Sequence, residues 1–86
     1  MTLEELYKIS DNFQGMIIVS DKEYVLGQIL YDGDEWIYLT CIGSPYFEFS
    51  DYALDNLIKN LKEHYRITQL LIINFNGENA ERLQLG

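Results

Sequence analysis

The chain has 86 residues, of which 48% are apolar and 23% charged. These are the proportions of a folded globular domain rather than a disordered tail. Asp plus Glu is 14 and Lys plus Arg is 6, a net charge of -8, which argues against direct binding to a phosphate backbone.

Thr2 and Glu5 form the capping pattern T-x-x-E, so a helix is expected over residues 2–12. Leu6, Ile9 and Phe13 supply its core-facing stripe. Residues 16–20, Met-Ile-Ile-Val-Ser, read as a strand covered on both faces. Residues 23–31 and 35–42 are the next two strands, after a turn at Asp21-Lys22. Asp32-Gly33 between them is a hairpin signal, because Gly tolerates the positive φ of a tight turn. A connection follows over 43–50, with Gly43, Ser44 and Pro45 and an extended Phe47-Glu48-Phe49. A second helix is expected over 51–65, capped by Ser50 or Asp51. Its buried stripe is Leu54, Leu57, Ile58, Leu61 and Tyr65. Residues 67–75 form an apolar strand and Asn76-Gly77 a turn. Residues 80–85 are either a final edge strand or a frayed tail.

The order is α-β-β-β-α-β, with or without a last β. It defines a single small α+β domain spanning residues 1–86. An antiparallel meander sheet of four to five strands is expected to carry the two helices. A domain this short buries only roughly 60–65% of its unfolded surface, so the core is thin. A single Cys allows no internal disulfide and no multi-Cys zinc site. No apolar run approaches the ~18 residues of a membrane span, and Met-Thr-Leu-Glu-Glu does not open a signal peptide. No membrane association and a cytoplasmic location are therefore expected.

The meander has no clearly polar face. Two helices on one side of the sheet would leave Leu26, Leu30, Trp36 and Tyr38 open to water, as an interface patch. One helix on each side would bury them all. The charge is uneven as well. Residues 1–58 hold eleven acids and two bases, while residues 59–86 hold three acids and four bases. A field of one sign steers encounter with a basic partner, and carboxylates spaced along a turn and loop can imitate phosphates.

Catalytic and metal chemistry finds little support. Asp32-Gly33-Asp34-Glu35 invites a calcium loop, but positions 6 and 12 of that loop would be Ile37 and Gly43, not Gly and Glu. Cys41 lies in an apolar strand, where a free Cys is most often a small buried residue. His64 lies in the last turn of the second helix, where it can cap carbonyls. There is no Gly-rich phosphate loop, no G-x-S-x-G elbow and no H-E-x-x-H motif. No catalytic residue, cofactor or metal is expected.

In length, acid excess and clusters such as Asp32-Gly-Asp-Glu35, the chain resembles the small acidic proteins of phages and mobile elements. Anti-CRISPR proteins, which occlude a nuclease's basic nucleic-acid channel, are the best-known of these. The resemblance implies a non-enzymatic inhibitor that acts as a nucleic-acid mimic on a basic, nucleic-acid-handling partner protein. No site residue carries over from it, because these proteins share no common motif. The residues themselves suggest the contacts. Glu23, Asp32, Asp34, Glu35, Glu48, Asp51 and Asp55 would supply charge-assisted bonds. Tyr24, Trp36, Tyr38 and Tyr46 would supply the anchors. Two other readings stand beside this one: a toxin-immunity protein covering a basic active site, and a self-associating domain that pairs Trp36 and Tyr38 with a second copy.

Overall fold

The computed structural model describes residues 1–40, 46–75 and 80–85; of Tyr46, Phe47 and Glu48 only the backbone is described. Cys41 and the Asn76-Gly77 turn lie outside the described residues. Helix α1 spans Leu3–Ile9 and continues as a single 3-10 turn, Ser10–Asn12. Strands β1 (Gly15–Ser20), β2 (Val25–Tyr31), β3 (Trp36–Thr40) and β4 (Tyr46–Asp51) follow. Helix α2 covers Leu54–His64, and β5 (Gln69–Asn74) and β6 (Ala80–Gln84) close the chain. The class is α+β as expected, but the sheet has six strands in the order β4-β3-β2-β1-β5-β6. All five pairings are antiparallel. The connection foreseen at 43–50 contains β4, which pairs with β3 as an edge strand. Residues 80–84 form the opposite edge. The Cα radius of gyration, 11.9 Å, is that of a compactly folded chain of this length.

The chain winds through β1 to β4 as a meander. Helix α2 then carries it back across the sheet to set β5 beside β1. The capping residue Thr2 accepts the Glu5 backbone N–H at 3.2 Å, and its hydroxyl contacts the Glu5 carboxylate at 3.3 Å. Leu6 is fully buried and Phe13 nearly so, whereas Ile9 is 39% exposed. The predicted stripe fails at Ile9 because the α-helix ends there. Phe13 enters the core from extended backbone after the 3-10 turn, not from a continuing helical face. Helix α2 begins three residues later than expected. Asp51 ends β4, and its Oδ1 accepts the Ala53 N–H at 2.9 Å ahead of the first turn.

Both helices lie on one face of the sheet. Leu6 of α1 and Leu54, Leu57, Ile58 and Leu61 of α2 join one buried cluster with Ile17, Val19, Ile29, Tyr38, Leu70, Ile72 and Leu83. Among the described residues no helix lies over the other face, so β1 is not covered by helices on both sides. The residues facing outward differ from those expected. A four-residue turn, 32–35, pairs Tyr31 with Trp36 and Ile29 with Tyr38. Trp36 and Tyr38 thus share the covered face with Ile29, at 4% and 0% exposure. The open face instead carries Leu30 with Ile37, and Leu39 beside Gln28. Leu26, beside the irregularity in the β1–β2 register, also turns into the core.

Candidate functional site

The covered face ends in a band of carboxylates. Tyr31, Trp36 and Asp51 are paired side by side across β2, β3 and β4, so the β2–β3 turn and the β4–α2 junction lie at the same end of the sheet. The turn brings Asp32, Asp34 and Glu35 there. The junction brings Asp51 and, in the first turn of α2, Asp55. An open cleft of about 300 Å³ beside them is lined by Tyr7, Asp11, Trp36, Tyr52 and Asp55, among others. Asp11 of the 3-10 turn therefore joins the same end.

Each carboxylate has a local reason for its place. Asp32 accepts the backbone N–H groups of Asp34 at 2.9 Å and Glu35 at 2.8 Å. Its own N–H donates to the Glu35 carbonyl at 3.1 Å. Gly33 takes φ +98°, a left-handed conformation that costs a glycine nothing. The hydrogen bonds from Glu35 and Asp34 hold the Asp32 carboxyl below the usual aspartate range, because they favour the charged form. Asp51 likewise accepts the Ala53 N–H, with the Asn56 side-chain amide 3.5 Å away. Asp32 and Asp51 thus shape the backbone. Asp34 and Glu35 make no side-chain hydrogen bond or ion pair among the described residues.

Aromatic rings accompany the carboxylates. Tyr31 packs at a tilt of 50° against Trp36 with ring centroids 5.1 Å apart, and Trp36 meets Phe13 at 6.1 Å. This ladder runs from the core to a surface tyrosine that is 47% exposed. Tyr52, beside Asp51, is 72% exposed. Tyr7 lies partly buried behind them. Burial first and the nearby Asp55 charge second raise its hydroxyl pKa, so it stays a neutral donor in ordinary buffers. Among the described residues the one ion pair is the N-terminal ammonium with Glu81, 3.6 Å, on β6. No described basic side chain forms an ion pair with the carboxylates of this end. No group of three or more His, Cys, Asp or Glu side chains is poised to hold a metal among the described residues.

Of the residues named from sequence, Asp32, Asp34, Glu35, Asp51 and Asp55 are brought together. Glu23 is not. It sits in the β1–β2 turn at the opposite end, where Asp21 accepts the N–H groups of Glu23 and Tyr24 at 2.7 and 2.6 Å. There Glu23 borders a separate cleft with Lys22, Arg66 and Thr68. Trp36 and Tyr38 are core residues, so they do not provide exposed anchors. The side chains of Tyr46 and Glu48 lie outside the described residues. Sequence reading missed Asp11, Tyr31 and Tyr52. Tyr31 could have been found by counting the four-residue turn, which fixes its ring over Trp36. Asp11 and Tyr52 are brought together only by helix packing. His64, the sole histidine, places Nδ1 2.8 Å from the Asn60 carbonyl oxygen and packs at a tilt against Phe49, ring centroids 4.8 Å apart.

No family model matches the chain, and no curated protein or solved structure matches it. Among the described residues no helix is long and apolar enough to cross a membrane.

Proposed function

We propose that this protein is a non-enzymatic acidic binding protein that covers a basic surface on a nucleic-acid-handling partner in the cytoplasm, in the manner of an anti-CRISPR inhibitor. The observation that carries the reading is the gathering of Asp11, Asp32, Asp34, Glu35, Asp51 and Asp55 at one end of the molecule, without an ion pair to any described base, around exposed Tyr31 and Tyr52. Exposed carboxylates grouped in this way speed encounter with a Lys- and Arg-rich groove. Tyrosines set among them offer apolar area with a polar tip, the preferred composition of an anchor. Asp34 and Glu35 fit this role best, since the turn is already built by Asp32 and Gly33.

The test compares immobilised parent chain with the Asp34→Lys, Glu35→Lys double variant. Both are incubated with host lysate at low and high salt, and duplex DNA is then used to elute. The reading expects basic nucleic-acid-binding proteins on the parent, released by DNA or salt and missing from the variant. Retention of the same proteins by parent and variant, unaffected by DNA, would sink it.

A further inference from the structure

An antiparallel sheet with one wet face ordinarily carries polar residues on that face. In this sheet the polar residues of that face, Ser20, Ser50, Gln69, Arg82 and Gln84, surround a middle that is apolar but for Gln28. Its open face presents one row through Ile37, Leu30, Met16 and Ile73, and a second through Leu39, Gln28, Ile18 and Leu71. The registers Leu30↔Ile37, Met16↔Ile73, Ile18↔Gln28 and Ile18↔Leu71 fix these neighbours. All eight side chains are half-buried, and among the described residues no helix lies over them. We infer that this face packs against the same face of a second copy, so that two sheets stack with their helices outward. The dimer uses a different surface from the acidic end and does not depend on the function proposed for it.

Two observations favour a second copy as the occupant. The first is charge. Although the chain carries -8 overall, no carboxylate stands on this face among the residues whose side chains are described, and Arg82, paired with Leu71, is the one charge among them. Glu81 and Asp51 point to the other side, in register with Ile72 and Trp36. Two copies can therefore bring these described residues together without opposing acids. The second is area. Six strands at about 4.8 Å spacing, each with about five residues of ~3.4 Å rise, define a plane of roughly 500 Å². Stacking two such planes buries about 1,000 Å² in total, the lower bound for a specific interface. Face-to-face sheets pack about 10 Å apart with strands about 30° from alignment, so aliphatic rows of this kind interdigitate. Gln28, the polar residue within the two rows, then lies inside the interface, with the polar Ser20–Gln69 pair at its rim.

Sedimentation velocity of the full chain over a dilution series, at low and high salt, tests this. The expected species has twice the chain mass and persists or strengthens in high salt, because salt screens repulsion between the acidic outer surfaces while leaving apolar contact intact. Gln28→Lys keeps the position polar, so the single domain should tolerate it. Across the interface it sets like charges close together and should weaken association roughly tenfold or more. Ile18→Asp should do the same. Trp36 lies on the other face, so its fluorescence reports folding of each variant without responding to association. A monomer at every concentration overturns the inference, and so does a dimer unchanged by both substitutions in folded protein. A monomer that instead binds neutral phosphatidylcholine vesicles assigns the face to lipid and overturns the dimer as well. The Asp34→Lys, Glu35→Lys variant should dimerise like the parent, which keeps this result separate from that of the acidic end.

Discussion

Asp21 and Asp32 do the same work at opposite ends of the sheet: each carboxylate accepts two backbone N–H groups of the turn that follows it. These bonds hold both carboxyl groups below the ordinary aspartate value. A group whose folded pKa is depressed contributes its stability above the unfolded value, about 3.9, and loses it as pH falls through the folded value. The turns should therefore hold in neutral and mildly acidic buffer and weaken only below about pH 4. Carboxyl resonances followed by NMR should show Asp21 and Asp32 titrating below that value. Asp32→Asn, which keeps an acceptor oxygen, should preserve the turn better than Asp32→Ala, read as a smaller drop in melting temperature. Gly27 makes a second prediction. A Cβ there would lie 2.6 Å from the Tyr38 hydroxyl and against the Leu39 carbonyl, so Gly27→Ala should cost about 1–3 kcal/mol in a urea melt. The Asp-Gly turn was legible in the sequence because its chemistry is contained in four residues. The close approach at Gly27 was not, since Tyr38 and Leu39 reach it from the neighbouring strand.

Helix α2 was equally legible, because a 3.6-residue stripe needs no knowledge of its neighbours. Leu57 and Leu61 are both fully buried. Truncating either to Ala should cost roughly 2–5 kcal/mol, and a urea melt losing less than about 0.5 kcal/mol for both would contradict the packing. Strands were harder to place. β4 follows Pro45 with Tyr46, Phe47 and Phe49, and that aromatic run reads equally well as a loop until β3 is there to pair with it. The faces were harder still. A one-residue change in register moves every side chain of a strand to the opposite face, and the four-residue turn puts odd-numbered Tyr31 beside even-numbered Trp36. Grouping Leu30 with Trp36 and Tyr38 overlooked that step. As a result, the open face was foreseen with the wrong aromatic residues, while its aliphatic rows went unnoticed.

On the scale of the whole molecule, charge and apolar surface are kept apart. The carboxylates of the turn, the junction and the 3-10 segment gather at one end, and the aliphatic rows occupy a broad face with no acid among its described side chains. Sequence alone exposed the acid excess but not this separation, because Asp11, Asp32 and Asp55 come from three distant stretches of chain joined only by the fold. Ionic strength should act on the two surfaces in opposite directions. Asp34 and Glu35 lie on an exposed turn and have no described partner, so Asp34→Lys with Glu35→Lys should leave the melting temperature almost unchanged, as exposed charges contribute little to stability. The same change should slow association with a basic partner, and the defect should shrink as salt rises and screens the field. Surface plasmon resonance at two ionic strengths measures that on-rate, and sedimentation under the same buffers measures self-association. Added salt should slow partner capture by the parent while maintaining or tightening the sheet-to-sheet contact. If the reversed protein associates as fast as the parent at low salt, the turn takes no part in binding, and the carboxylates that matter would have to be sought at Asp11, Asp51 and Asp55 around the cleft beside Tyr52.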